Sequence, residues 1–147
     1  MPESMPSACR VCGGVEGARH PVGDGDHAWH CDRCGWRVGD APDADLPTPR
    51  VSVVYYLRYA QRVKIGTSAT PRARLAAIRH EELLAFEQGG RDLEQQRHRQ
   101  FAALREGGEW FTLAAPLVDH IESLRTGRDP WATYDRWLGD ALRARSS

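Results

Sequence analysis

Cys9, Cys12, Cys31 and Cys34 are the only cysteines in the chain, and their spacing constrains the fold more than any other feature. Two Cys-x-x-Cys pairs, separated by eighteen residues, have the spacing of two knuckles that close on one tetrahedral metal ion. A small residue follows each pair, Gly13 and Gly35, where a tight turn must aim backbone N–H groups at sulfur. Aliphatic residues are too sparse around these cysteines to bury a core, so a metal must supply what burial cannot. Zinc suits four thiolates best, with iron a weaker fit. His20, His27 and His30 lie between the pairs, but a complete thiolate set leaves them unneeded as ligands. A closed site of this kind has no open position for water, so its expected role is structural.

The alternative use of four cysteines, two disulfides, requires an oxidising compartment. The start Met1-Pro2-Glu3-Ser4 lacks the basic and apolar regions of a secretory leader, and no run of about twenty apolar residues follows. A cytoplasmic protein with no membrane association is therefore expected, where thiols stay reduced.

Residues 1–39 thus form a four-cysteine module, followed at 40–50 by a segment rich in proline and aspartate that reads as a stiff linker. Val51 to Leu57 is rich in β-branched and aromatic residues, and Arg62 to Gly66 reads as a second strand making a hairpin with it. Thr70 and Pro71 are a helix start for Arg72 to His80. Glu82 to Phe86 is a third short strand, and a helix from about Asp92 to Arg105 ends at Gly107-Gly108. The fold class is α+β, with the order β-β-α-β-α, the zinc ribbon before it and a helix after it. A short segment from Glu109 to Leu113 and a helix after Pro116 complete a domain at 51–125. Residues 126–147 form a C-terminal amphipathic helix, with Trp131, Tyr134, Leu138 and Leu142 at helical spacing. Such a stripe faces a core or docks a protein partner.

The formal net charge is zero, but it is unevenly spread. Between Leu46 and His80 lie seven basic residues (Arg50, Arg58, Arg62, Lys64, Arg72, Arg74, Arg79) and no acid. Such a stretch suits a phosphate backbone, and it is equally compatible with a solvated helix face. On the later helix Glu94, His98 and Phe101 fall on one stripe, which brings a carboxylate to an apolar boundary.

These residues carry a resemblance. Val53-Val54-Tyr55, then Lys64-Ile65-Gly66, Arg74-Leu75 and a later Glu94 resemble the GIY-YIG endonuclease superfamily. More narrowly, Lys64-Ile65-Gly66, Glu94-x-x-x-His98-x-x-Phe101 and Gly108-Glu109-Trp110-Phe111 resemble its phage and bacterial branch, over about residues 51–113. The resemblance implies a small mixed sheet flanked by helices, and hydrolysis of a phosphodiester bond with one divalent ion, Mg²⁺ or Mn²⁺. Carried over, Tyr55 lies near the attacking water, Arg74 binds the scissile phosphate and Glu94 holds the metal. Val53-Val54 replaces Gly-Ile, and Lys64 stands where the family's second motif has tyrosine. Lys64 is then a general base or a phosphate grip, and His98 a group that positions the metal or a water.

The expectation is a metal-dependent endonuclease or nickase acting on DNA, with Tyr55, Lys64, Arg74, Glu94 and His98 as catalytic candidates. Arg58, Arg62, Arg72 and Arg79 are candidates for binding nucleic acid. A homodimer would suit a double-strand cut. Two other readings stay open: a nucleic-acid-binding protein without turnover, and a zinc-ribbon adaptor that binds protein.

Overall fold

The computed structural model describes residues 2–23, 25–38 and 49–146. Most of the expected linker at 40–50 lies outside them. Chain contacts separate two compact units, Met1–Pro49 with Ala132–Ser147, and Arg50–Trp131. Among the described residues the protein is mixed α+β, with two antiparallel sheets and four α-helices. No helix among them is long and apolar enough to cross a membrane.

In the first unit β1 (Glu3–Ser4), β2 (Glu16–Pro21) and β3 (His27–Cys31) form an antiparallel sheet in that order. Its strands were not legible in the sequence, because little of β2 is buried and its composition lacks strand character. Met5, Cys9, Cys31, Cys34 and Trp36 make a small core. The C-terminal helix, α4 (Pro130–Ser146), contributes its residues from Ala132 onward to this unit. Leu142 packs against the cysteine core. Arg136 donates to the Asp32 carbonyl at 2.7 Å and Arg143 to that of Cys34 at 3.0 Å. Asp135, only 2% exposed, receives Arg33 at 2.7 Å. Gly139 lets the helix approach the second knuckle, since a Cβ there would collide with the Cys34 carbonyl. The amphipathic stripe therefore has an internal seat.

In the second unit five strands are ordered β6-β4-β5-β8-β7, and each neighbouring pair is antiparallel. The strands are β4 (Val53–Tyr59), β5 (Arg62–Ser68), β6 (Glu82–Gln88), β7 (Arg105–Gly107) and β8 (Trp110–Thr112). The expected mixed sheet is thus corrected. The chain returns after the first hairpin on the far side of β4 in the opposite direction, so no parallel crossover forms. Helix α1 (Pro71–Ala76) stops earlier than His80, and α2 (Arg91–Gln100) stops before Arg105. A short 3₁₀ turn, Ala102–Leu104, follows α2. Arg105 to Gly107 then turns extended to pair with β8, across a tight turn where Gly108 takes φ 54°. The two glycines therefore serve the β7–β8 hairpin, and the helix ends before them at Gln100.

Strand β4 is flanked by β6 and β5, with Val53 to Leu57 buried on both faces. On one face Val54, Tyr56, Val63, Ile65, Ala85 and Phe111 pack with Phe101 of the α2 end and with Leu117 and Ile121 of α3 (Ala115–Arg125). Side-chain alternation puts Tyr55, Lys64, Gly66, Phe86 and Trp110 on the other face. The groups with chemistry collect there.

Candidate functional site

The four cysteine sulfurs lie within 4.8 Å of one another, and no other such cluster of metal-ligating side chains occurs among the described residues. Cys9 and Cys34, and likewise Cys12 and Cys31, approach to 3.5 Å, too far for a disulfide. A tetrahedron with Zn–S bonds near 2.3 Å has sulfurs about 3.8 Å apart, so the donor set fits a four-thiolate ion. Backbone N–H groups of Val11 and Gly14 point at Cys9 and Cys12 sulfurs at 3.4 Å, an arrangement that favours thiolate. Burial works the other way, pushing Cys12 up to about 11 and Cys34 up as well. A cation resolves the conflict. The sequence placed this site fully.

The second site is organised by four consecutive residues of β5. Lys64 places its ammonium 3.5 Å from Glu109. The Ile65 N–H donates to the Glu109 carbonyl at 2.9 Å, and the Ile65 carbonyl accepts from His98 Nε2 at 2.8 Å. Gly66 faces Tyr55 in register. The Thr67 N–H donates to the Glu94 carboxylate. One strand segment thus fixes residues from β4, α2 and the turn before β8.

Gly66 is required by contact. A Cβ there would overlap the Tyr55 ring and hydroxyl, and this ring is 1% exposed. Gly66→Ala is therefore expected to cost about 1–3 kcal/mol by overpacking, measured as a lower midpoint in urea unfolding. An unchanged midpoint would mean that the Tyr55 ring moves freely.

The Tyr55 hydroxyl is hydrogen-bonded to Arg74 on α1. Burial raises the phenol above its ordinary pKa, and Arg74 offsets part of that rise. Glu94 is half-buried and also raised, first by burial and then by the negative charge of Glu109. Tyr55, Arg74, Glu94 and Glu109 therefore share one electrostatic environment. A carboxylate pair of this kind, with Lys64 beside Glu109 and with His98 and Arg91 acting on Glu94, is an environment that suits a divalent cation.

The other candidates divide. His98 spends Nε2 on Ile65 and sets its ring edge to Phe111 at 5.0 Å, so its visible work is to bolt α2 to β5. Arg58 is held by Glu81 and Glu82, each at 3.3 Å, and braces the β4–β5 turn, where Ala60 takes φ 55° and donates to Glu81 at 2.7 Å. Arg62, Arg72 and Arg79 lie over the rings of Trp110, Trp131 and Tyr59 respectively.

Sequence reasoning missed two features. Glu109 sat in a quoted motif, but its partner Lys64 is brought to it only by the pairing of β5 with the β8 end. On the core face, Tyr56 donates to Glu87 at 2.9 Å and accepts from His120 at 3.0 Å, while Arg97 closes on Glu87 at 2.5 Å. Burial would raise Glu87, but Arg97 and Tyr56 outweigh it and hold the carboxyl below its usual range. This network ties α2 and α3 to the sheet.

Compared with family models, curated proteins and solved structures, the chain gives no match.

Proposed function

We propose that this protein is a divalent-metal-dependent endonuclease or nickase acting on DNA, of the GIY-YIG kind, with a structural zinc ion in its first unit. The observation that carries the reading is the convergence of Tyr55, Arg74, Glu94, Lys64 and Glu109 around β5, from positions spread over fifty-five residues. Phosphate binding alone would need no carboxylates in that place.

Glu94 would hold Mg²⁺ or Mn²⁺, a hard ion that keeps several waters and so needs few protein ligands. Bound there, it would polarise the phosphate and stabilise charge that develops on its oxygens. Arg74, an exposed residue, would bind the scissile phosphate with paired N–H donors. Tyr55 stays fixed between Gly66 and Arg74, so its hydroxyl would orient the attacking water. Lys64, anchored by Glu109, would bring a second positive charge to the phosphate. The four free thiols accord with a reducing, cytoplasmic setting.

Nicking of supercoiled plasmid DNA by the full chain is expected to require added Mg²⁺ or Mn²⁺. Arg74→Ala should lower the rate by at least about 100-fold and weaken DNA binding, because the lost group serves both substrate and transition state. Nicking that persists unchanged in Arg74→Ala would overturn the assignment. DNA retained at low salt without any cleavage would favour the non-catalytic binding reading.

A further inference from the structure

Arg62, Lys64 and Gly66 follow one another on one face of β5 at intervals of about 7 Å. Tyr59 lies opposite Arg62, Tyr55 opposite Gly66 and Trp110 opposite Lys64, so all share that face. The Arg62 guanidinium is 4.9 Å from the Trp110 ring centroid, and the Lys64 ammonium is 5.7 Å from the same ring. The Arg79 guanidinium is 5.3 Å from the Tyr59 ring. Arg62 and Arg79 are exposed, whereas Trp110 and Tyr59 are half-buried. Phe111 and Tyr56 lie on the opposite face, buried in the core.

We infer that this band is a track for a nucleic-acid strand whose bases are unpaired beside the cleavage point, running along β5 from Tyr55 and Arg74 toward Tyr59. The inference rests on the nuclease reading above. A blunt duplex offers phosphates and hides its base faces, so cations alone would serve it. Aromatic rings add affinity only when bases are free to stack, by about 1–3 kcal/mol per base. An arginine plane lying over a ring extends the stacking surface and keeps a charge for the adjoining phosphate. Glu109, beside Lys64, has its charge met by that ammonium.

Fluorescence anisotropy tests this on the full chain without added divalent ion, which withholds cleavage. The labelled probes are a single strand, a blunt duplex of the same sequence, and that duplex with a single-stranded tail. The single strand and the tailed duplex are expected to bind about ten-fold or more tighter than the blunt duplex. Arg62→Ala and Trp110→Leu should each remove most of that preference, by weakening the single strand and the tailed duplex more than the blunt duplex. Should Trp110→Leu fail to fold, Arg62→Ala, at an exposed position, decides the matter. Equal affinity for single strand and blunt duplex, or a preference kept in Arg62→Ala, overturns the track while plasmid nicking still supports the nuclease. Failure of the parent protein to bind any probe overturns both.

Discussion

Cys34→Ser is expected to lose the metal and to unfold the three-stranded sheet with it. The small core of the first unit is built largely of the ligands themselves, Cys9, Cys31 and Cys34, with Met5 and Trp36. Metal binding at such a site is worth on the order of 10 kcal/mol, far more than this core can supply. Cys34 also carries the seat of α4, through its carbonyl bond from Arg143 and the close approach at Gly139. Metal analysis of the purified variant should find the ion absent, and near-ultraviolet circular dichroism should lose the signal of Trp29 and Trp36. The same physics sets a pH dependence. Burial pushes Cys12 up to about 11, so protons compete with the metal for the thiols, and a chelator should strip the ion faster as pH falls. A folded, metal-loaded Cys34→Ser protein would contradict this account.

Glu94→Ala is expected to abolish metal-dependent cleavage while DNA binding is kept or improved. A bound divalent ion contributes several kcal/mol of charge stabilisation in the transition state, which corresponds to a loss of about 1000-fold or more. Binding should survive because Glu94 adds negative charge to the surface proposed to hold phosphates. Wild-type activity should also fall on the acid side at a pH above the usual carboxylate range. Burial and the Glu109 charge raise the Glu94 carboxyl, so it takes up a proton, and ceases to be a metal ligand, at a higher pH than an ordinary glutamate. Glu109→Gln removes the like charge and should move that acid limb downward. An acid limb that stays in place in Glu109→Gln would separate the two carboxylates.

What the sequence made legible is local or nearly so. The cysteine spacing names its own geometry, because two tight knuckles leave few ways to arrange four sulfurs. Strands β4 and β5 were readable from β-branched and aromatic residues only a few positions apart. Antiparallel return of β6, by contrast, rests on its pairing with β4, and no residue signals it. Arg105 to Gly107 has helical neighbours, yet pairing with Trp110 and Phe111 overrides them. The catalytic candidates were found through their motif, but the reason they meet was not. It lies in β5 main-chain groups, the Ile65 carbonyl and the Thr67 N–H, which carry no sequence signature at all. Glu109 and the network of Tyr56, Glu87, Arg97 and His120 were missed for the same reason, since each joins residues distant in the chain. Likewise the helical stripe of α4 announced a buried face, while its partner was set by Gly139, Asp135 and two arginines reaching backbone carbonyls.

The most direct measurement is nicking of supercoiled plasmid DNA with Mg²⁺ or Mn²⁺, with wild type and Glu94→Ala compared side by side. Open-circle product from the wild type, dependent on the ion and absent with the variant, is the predicted result. Equal nicking by both proteins, or none by the wild type with its cysteine site loaded, would contradict the nuclease assignment.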